Sequence, residues 1–246
     1  MATGIAIVIA SGKGGTGKTS LTGGIAAALA RLGRKVLCID MDIGLRNLDL
    51  SLGMSDRALM DFSDVVEGRC TLERAAVSHP DMPGLHLLTA PTRLNPGITA
   101  ADISALLDTA RQTYDYILLD APAGLDEGFR LAGCSADRAI VVATSDASSL
   151  RDAQRTVGEL SHIGQVHLVV NRVSPKLLRR LRTTIDDAMD MAGLPLLGVV
   201  PEDPRVILAA NMGRLLILTG RRGAANACLN IAKRLEGVRA PIMRIR

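Results

Sequence analysis

Short runs of unbroken apolar residues recur along the chain, most of them bounded by Gly, Pro or Asp. They cover residues 4–10, 35–40, 85–91, 114–120, 139–145, 167–172 and 194–201. Unbroken rather than alternating apolarity is what a strand covered on both faces requires, as in a parallel sheet. Between these runs, residues 19–32, 99–111, 148–162, 176–191, 204–212 and 224–235 carry helical patterns. Thr99 followed by Asp102 has the form of a capping box at a helix start. Strand alternating with helix predicts right-handed crossovers and an α/β fold, a doubly wound, mostly parallel sheet flanked by helices. No repeat or linker interrupts the rhythm. A single domain over residues 1–237 with a short basic tail at 238–246 is the simplest organisation.

Composition narrows the functions. Hydrophobic residues make up 48% of the 246 and aromatics only 2%, with no Trp, so the core is aliphatic. Aromatic stacking platforms for single-stranded nucleic acid or sugar are therefore unexpected. No apolar run reaches the roughly 18 residues that span a bilayer. The first apolar run has no Lys or Arg before it and a glycine loop after it, so it reads as a buried strand and not as a signal peptide. Cys38, Cys70, Cys134 and Cys228 are scattered without a C-x-x-C pair, which suits reduced thiols acting as small hydrophobes. The net charge of +4 fits either an anionic partner (ATP, lipid headgroups or DNA) or an ordinary solvated surface.

The strongest local signal is Gly12-Lys13-Gly14-Gly15-Thr16-Gly17-Lys18-Thr19, which satisfies G-x-x-x-x-G-K-[ST] between a strand and a helix. Glycines there let backbone N–H groups turn inward as an anion nest, and the helix that follows adds the positive end of its dipole. Lys18 supplies a cation to the outer phosphates of a nucleotide, and the Thr19 hydroxyl is a Mg²⁺ ligand. Lys13 is the unusual member. A second cation beside Lys18 is unnecessary for the loop's own phosphates and makes sense if it serves others.

Carboxylates follow two of the apolar runs. Asp40 and Asp42 lie at the end of residues 35–40 and just beyond, and Asp120 ends residues 114–120. The carboxyl ends of strands are where open α/β sheets bind ligands. Hydrolysis of a γ-phosphate needs a group that orients water and acids that hold Mg²⁺. Asp42 suits the water, Asp40 supports the metal, and Asp120 stands near Mg²⁺ through water. Asn47 either helps place the water or contacts a partner subunit. Asp49 reads as a helix cap.

With Lys13 in place, K-G-G-T-G-K-T resembles the signature of the deviant Walker-A family that contains MinD, ParA and the nitrogenase iron protein. The stretch D-x-D-x-G-L-R-N-L-D-L from Asp40 to Leu50 and the D-x-P-A-G of Asp120–Gly124 resemble its MinD branch. The resemblance runs from Ile5 to about Arg234. It implies an ATPase with ATP and Mg²⁺ as cofactors that forms a homodimer with ATP. Lys13 would reach across that dimer to the partner's nucleotide. It implies septum placement through a MinC-like inhibitor and a MinE-like regulator, received near residues Ser148–Arg155, with turnover that is slow without a partner. It implies that Asn171 hydrogen-bonds adenine and that Pro201 and Asp203 belong to the loop closing over the base. Arg172 is either part of that pocket or a plain surface residue. Location is then cytoplasmic, with reversible association at an anionic membrane surface and no specific nucleic acid.

Lys176, Arg179, Arg180 and Arg182 form a basic cluster that reads as a solvated helix face. Family members usually end in an amphipathic membrane helix. Here Pro241 leaves only five residues after it, so a removed anchor and a different attachment both stand. Two competing readings remain. One is a ParA-like cargo-positioning ATPase with salt-sensitive DNA binding, against which the stretch Gly44–Asp49 argues. The other is an iron–sulfur carrier, for which Cys134 would be the one cysteine near the segment Asp120–Gly124.

Overall fold

The computed structural model describes residues 4–55, 57–93 and 95–243. Eight strands form one sheet: β1 (Ile5–Ala10), β2 (Val36–Asp40), β3 (Val77–His79), β4 (Met82–Leu88), β5 (Tyr116–Asp120), β6 (Arg138–Ala143), β7 (Val166–Val173) and β8 (Leu196–Pro201). Their spatial order is β3-β4-β2-β5-β1-β6-β7-β8. Every pairing is parallel except β3 with β4. The doubly wound, mostly parallel sheet expected from the sequence is present. β1 lies centrally, with β5 on one side and β6 on the other, so the loop after it opens at the topological switch point.

The helices are α1 (Lys18–Arg31), α2 (Leu48–Leu52), α3 (Phe62–Val66), α4 (Leu72–Ala75), α5 (Ala100–Arg111), α6 (Glu127–Gly133), α7 (Ala147–Glu159), α8 (Pro175–Leu181), α9 (Ile185–Ala192), α10 (Pro204–Asn211) and α11 (Gly223–Leu235). Thr99 and Asp102 form the reciprocal cap expected at the start of α5. The helix expected over residues 176–191 is broken. Arg182 takes a left-handed conformation (φ 53°), and Thr184 opens α9 with a capping box to Asp187. Thr-x-x-Asp inside that stretch was the overlooked stop-and-restart signal. The short β3 and the one-turn helices α2 to α4 also escaped sequence reading, because too few residues repeat to show a period.

Alternating residues of each inner strand feed two cores. Ala6, Val8 and Ala10 face a core with Phe62, Leu107 and Phe129, under α5, α6 and α7. Ile7 and Ile9 face the other, with Ile25 and Leu29 of α1 and Ile231 of α11. Each fully buried aliphatic side chain contributes about 1.5–3 kcal/mol, so the inner strands and their loop ends are well anchored. Gly24 of α1 lets α11 come close. A Cβ there would stand 2.7 Å from Cys228 Sγ. Cys38 and Cys228 are buried as expected, while Cys70 and Cys134 are half-buried, and all four are free. Among the described residues no helix is long and apolar enough to cross a membrane.

The tail beyond α11 turns back along that helix. Asn230 Nδ2 donates to the Pro241 carbonyl at 3.0 Å, Ala240 is buried, and Met243 packs against the second core. Residues 244–246 of the tail lie outside the described residues.

Candidate nucleotide site

Residues 11–17 run from the end of β1 to the first turn of α1. Gly15 and Gly17 have φ of 80° and 83°, a left-handed conformation that costs other residues roughly 1–2 kcal/mol. Gly17 is also sterically closed, since a Cβ would fall 2.5 Å from Asn171 Nδ2. Gly12 presses against α7, where a Cβ would meet the Asp152 carbonyl oxygen at 2.5 Å. Gly14 has open space around it. The loop and α1 line a cleft shared with Thr19, Asp42, Asn47 and Ala123.

At the base of that cleft Lys18 Nζ donates to Asp120 Oδ1 at 2.9 Å, with both side chains almost wholly buried. The Thr22 hydroxyl lies 2.9 Å from the same oxygen. Asp120 Oδ2 is buried and has no hydrogen-bond partner among the described residues. An orphaned buried carboxylate oxygen calls for a cation or an ordered water. Together with the half-buried Thr19 hydroxyl it fits Mg²⁺, which keeps several waters and needs few protein ligands. Thr22, one turn beyond Lys18, was missed in the sequence. Its spacing from Lys18 was the available signal.

Asp40 and Asp120 are register partners at the ends of β2 and β5. Asp40 is buried, with Oδ1 accepting from the Asp42 N–H at 2.9 Å and Oδ2 from the Leu48 N–H at 3.1 Å. Burial pushes its carboxyl up to about 7, against the pull of those N–H donors. Both oxygens are thus committed to the shape of the loop from Asp42 to Leu48. Asp42 faces the phosphate cleft. Partial burial raises its carboxyl above the usual range, Lys18 lowers it, and Asp120 and Asp126 raise it. Asn47 is exposed at the start of α2 and lines the same cleft. Asp49 lies two residues past the cap position, which Asn47 takes; its Oδ1 accepts from the Leu50 N–H inside the first turn.

Lys13 lines the phosphate cleft, but its ammonium is held outside the loop. Its Nζ donates to Asp146 Oδ1 and to Ser148 Oγ, each at 2.9 Å, at the head of α7. Burial pushes the Asp146 carboxyl up, but hydrogen bonds from Thr144, Lys13, Ser148 and the Ser149 N–H outweigh it and hold Asp146 well below the usual range. Asp146 was missed. Its place just before Ser148-Ser149-Leu150 marks it only as a helix cap. On α7, Ser148, Arg151, Gln154 and Arg155 are exposed, while Ser149, Leu150 and Ala153 are buried.

A second cleft adjoins the first at Gly17 and Ser20. Leu21, Val200, Val206, Ile207 and Leu216 give it an apolar lining. Asn171, Pro201 and Asp203 all line it, so the three residues assigned to the base are brought together. Asn171 Nδ2 donates to the Thr16 carbonyl at 2.8 Å, which leaves its side-chain oxygen to accept from a base amino group. Arg172 is exposed and stands on the lining of the same cleft. It donates to the Gly15 carbonyl at 3.2 Å and pairs with Glu202, tying the phosphate loop to the base loop. Asp203 frames the cleft: its oxygens accept from the Arg205 and Ala224 N–H groups, capping α10 and holding the start of α11. An apolar slot for a ring beside an anion nest is the arrangement a nucleotide needs.

The sequence profile of the CobQ/CobB/MinD/ParA nucleotide-binding domain matches residues 7–217. This chain belongs to that family. The septum site-determining protein MinD of Synechocystis sp. is 40% identical over 242 residues, covering 96% of this chain and 91% of the relative. That of Bacillus subtilis is 39% identical over 245 residues, covering 97% and 91%. Among solved structures, the MinC:MinD cell division complex of Aquifex aeolicus superposes with a TM-score of 0.91 at 38% identity, over 98% of this chain and 99% of that one. MinD of Pyrococcus horikoshii complexed with Mg-ADP gives a TM-score of 0.82 at 30% identity, over 94% and 96%. The chain is therefore a MinD-like member of the CobQ/CobB/MinD/ParA family, with that family's P-loop fold and nucleotide-binding domain.

Proposed function

We propose that this protein is an ATP-driven dimerising switch that helps place the division septum. The observation that carries the reading is Lys13: it sits in the phosphate loop, yet its Nζ is held by Asp146 and Ser148 at the head of α7. Residues 1–237 act as one ATPase domain. ATP binds with its base against Asn171, Pro201 and Asp203 and its phosphates in the nest of Gly12–Thr19. Mg²⁺ bound beside Thr19 and Asp120 neutralises phosphate charge. Lys18 leaves Asp120 for the outer phosphates, Asp42 orients the attacking water, and Asp40 fixes the loop that carries Asp42 and Asn47. Lys13 leaves Asp146 and reaches the nucleotide of a second copy, so the catalytic set is complete only in the dimer. The exposed face of α7, joined to the loop through Gly12 and Lys13, receives a MinC-like inhibitor or a MinE-like regulator. The dimer associates reversibly with an anionic membrane surface from the cytoplasm, and hydrolysis resets it. The relatives at about 40% identity and the MinC:MinD structure support this reading.

The test is the mass in solution of wild-type protein and of Asp42→Ala with Mg-ATP and with Mg-ADP, read by light scattering beside ATP turnover. The expected result is a dimer with ATP only, persisting in Asp42→Ala because turnover is lost. Monomers under ATP in both proteins would sink the proposal.

A further inference from the structure

At the opposite end of the sheet, the amino ends of β1, β5, β6 and β7 and the last turn of α11 enclose a separate cleft. Ile5, Tyr116, Arg138, His167, Arg234 and Glu236 line it, with Arg34 at its mouth. Among the described residues its one carboxylate is taken: Glu236 is paired with Arg34 and accepts from the Tyr116 hydroxyl. Arg138 and Arg234 are left with neutral partners. Arg138 donates to the Leu235 carbonyl at 3.3 Å, and Arg234 donates to the Leu196 carbonyl at 3.2 Å. Among the described residues neither guanidinium has a carboxylate at ion-pair distance. Each guanidinium has five N–H donors, so most of the donors on two half-buried cations remain unspent.

His167, on β7, feels both cations. Burial holds its imidazole below the usual value, and Arg138 and Arg234 lower it further. Two forks and an imidazole approach from three elements: β6, α11 and β7. Donors lining one cleft from three elements match a tetrahedral oxyanion, whose oxygens point in several directions, better than a carboxylate, whose two oxygens lie in one plane. We propose that this cleft binds a phosphomonoester through Arg138, Arg234 and His167, at a site distinct from the nucleotide cleft. The group belongs to a small soluble phosphate or to a lipid headgroup, which present the same chemistry.

The test uses the full chain saturated with Mg-ADP, so that the phosphate loop is filled. Inorganic phosphate is titrated against sodium chloride at matched ionic strength while the His167 imidazole is followed by NMR. The expected result is a saturable His167 shift with phosphate and not with chloride. Binding should weaken at least about tenfold in the double variant Arg138→Gln, Arg234→Gln, with ADP affinity unchanged. A Lys replacement at both positions keeps the charge and should retain part of the binding. Identical His167 responses to phosphate and chloride, or equal phosphate affinity in the Gln double variant, would overturn the site. Should the Gln variant not fold, the wild-type comparison of phosphate with chloride still decides. Co-sedimentation with phosphatidic acid vesicles against phosphatidylcholine vesicles then assigns the source. Capture that is lost in the Gln variant points to a headgroup, and a phosphate response without capture points to a soluble phosphate.

Discussion

Lys13 Nζ and Asp146 Oδ1 stand 2.9 Å apart, joining the phosphate loop to the head of α7 within one chain. Both side chains are about a third or more exposed, at 33% and 44%. A pair this open is worth only about 0–1 kcal/mol, so Lys13 is released at little cost when a better anion arrives. Lys13→Ala should therefore change the unfolding free energy by less than about 1 kcal/mol. ADP affinity should stay nearly as it was, while the ATP-dependent dimer disappears. Urea unfolding, ADP titration and light scattering read the three effects. An intact ATP dimer in the variant would refute the role given to Lys13.

The Lys18–Asp120 pair is of another kind, being buried at both ends. Removing one partner strands the other charge in the interior. Asp120→Ala should cost about 3–5 kcal/mol without nucleotide. The loss should shrink when Mg-free ADP is present, because the phosphates replace the missing anion for Lys18. Denaturant midpoints measured with and without ADP make the comparison. Equal losses in both conditions would mean that Lys18 does not turn to the phosphates.

Asp203 anchors two helices at once, and its carboxylate is nearly buried. Burial pushes its carboxyl up, but hydrogen bonds from Arg205 and the Ala224 N–H outweigh this and hold it below the usual range. A depressed native value means that the stabilisation is complete above the unfolded value, about pH 4. It fades as pH falls through the native value. Asp203→Ala should lose two caps, about 2 kcal/mol together, and weaken ADP binding. The gap in stability between wild type and variant should be constant from pH 5 to 7 and close in stronger acid. Thermal melts across that range test it, and a gap that widens in acid would reverse the sign argued here.

Gly24 and Cys228 offer a packing test. An added methyl at Gly24 would press on Cys228 Sγ. Overpacking costs about 1–3 kcal/mol, against roughly 1 kcal/mol gained from helix propensity. Gly24→Ala should be neutral to destabilising in the wild-type background and stabilising once Cys228→Ala has removed the sulfur. A double-mutant cycle by urea unfolding measures the coupling. Additive effects would show that the two helices adjust freely.

Much of this site could be read from the sequence because its parts are local. The loop Gly12–Thr19 is one continuous segment, and Asp40 and Asp120 announce themselves by ending apolar runs. The capping box of Thr99 and Asp102 spans four residues. The parts that stayed hidden are contacts between distant segments. Lys13 meets Asp146 across 133 positions, and Arg172 meets Gly15 across 157. No spacing rule carries such information. Asp40 shows a subtler limit: its position was legible, but the capture of both its oxygens by the Asp42 and Leu48 N–H groups depends on how the following loop turns back.

The two margins of the sheet have a consequence for how copies of this chain meet. One margin is β3, three residues long, antiparallel and irregular in register near His79. The other is β8, preceded by Pro195 and closed by Pro201. Neither offers the long, regular row of free N–H and C=O groups that another strand needs for pairing. Sheet-to-sheet polymerisation is discouraged at both sides, so growth into fibres finds no template. Any contact between copies is then made through surfaces other than the sheet margins, without adding a strand to the folded scaffold.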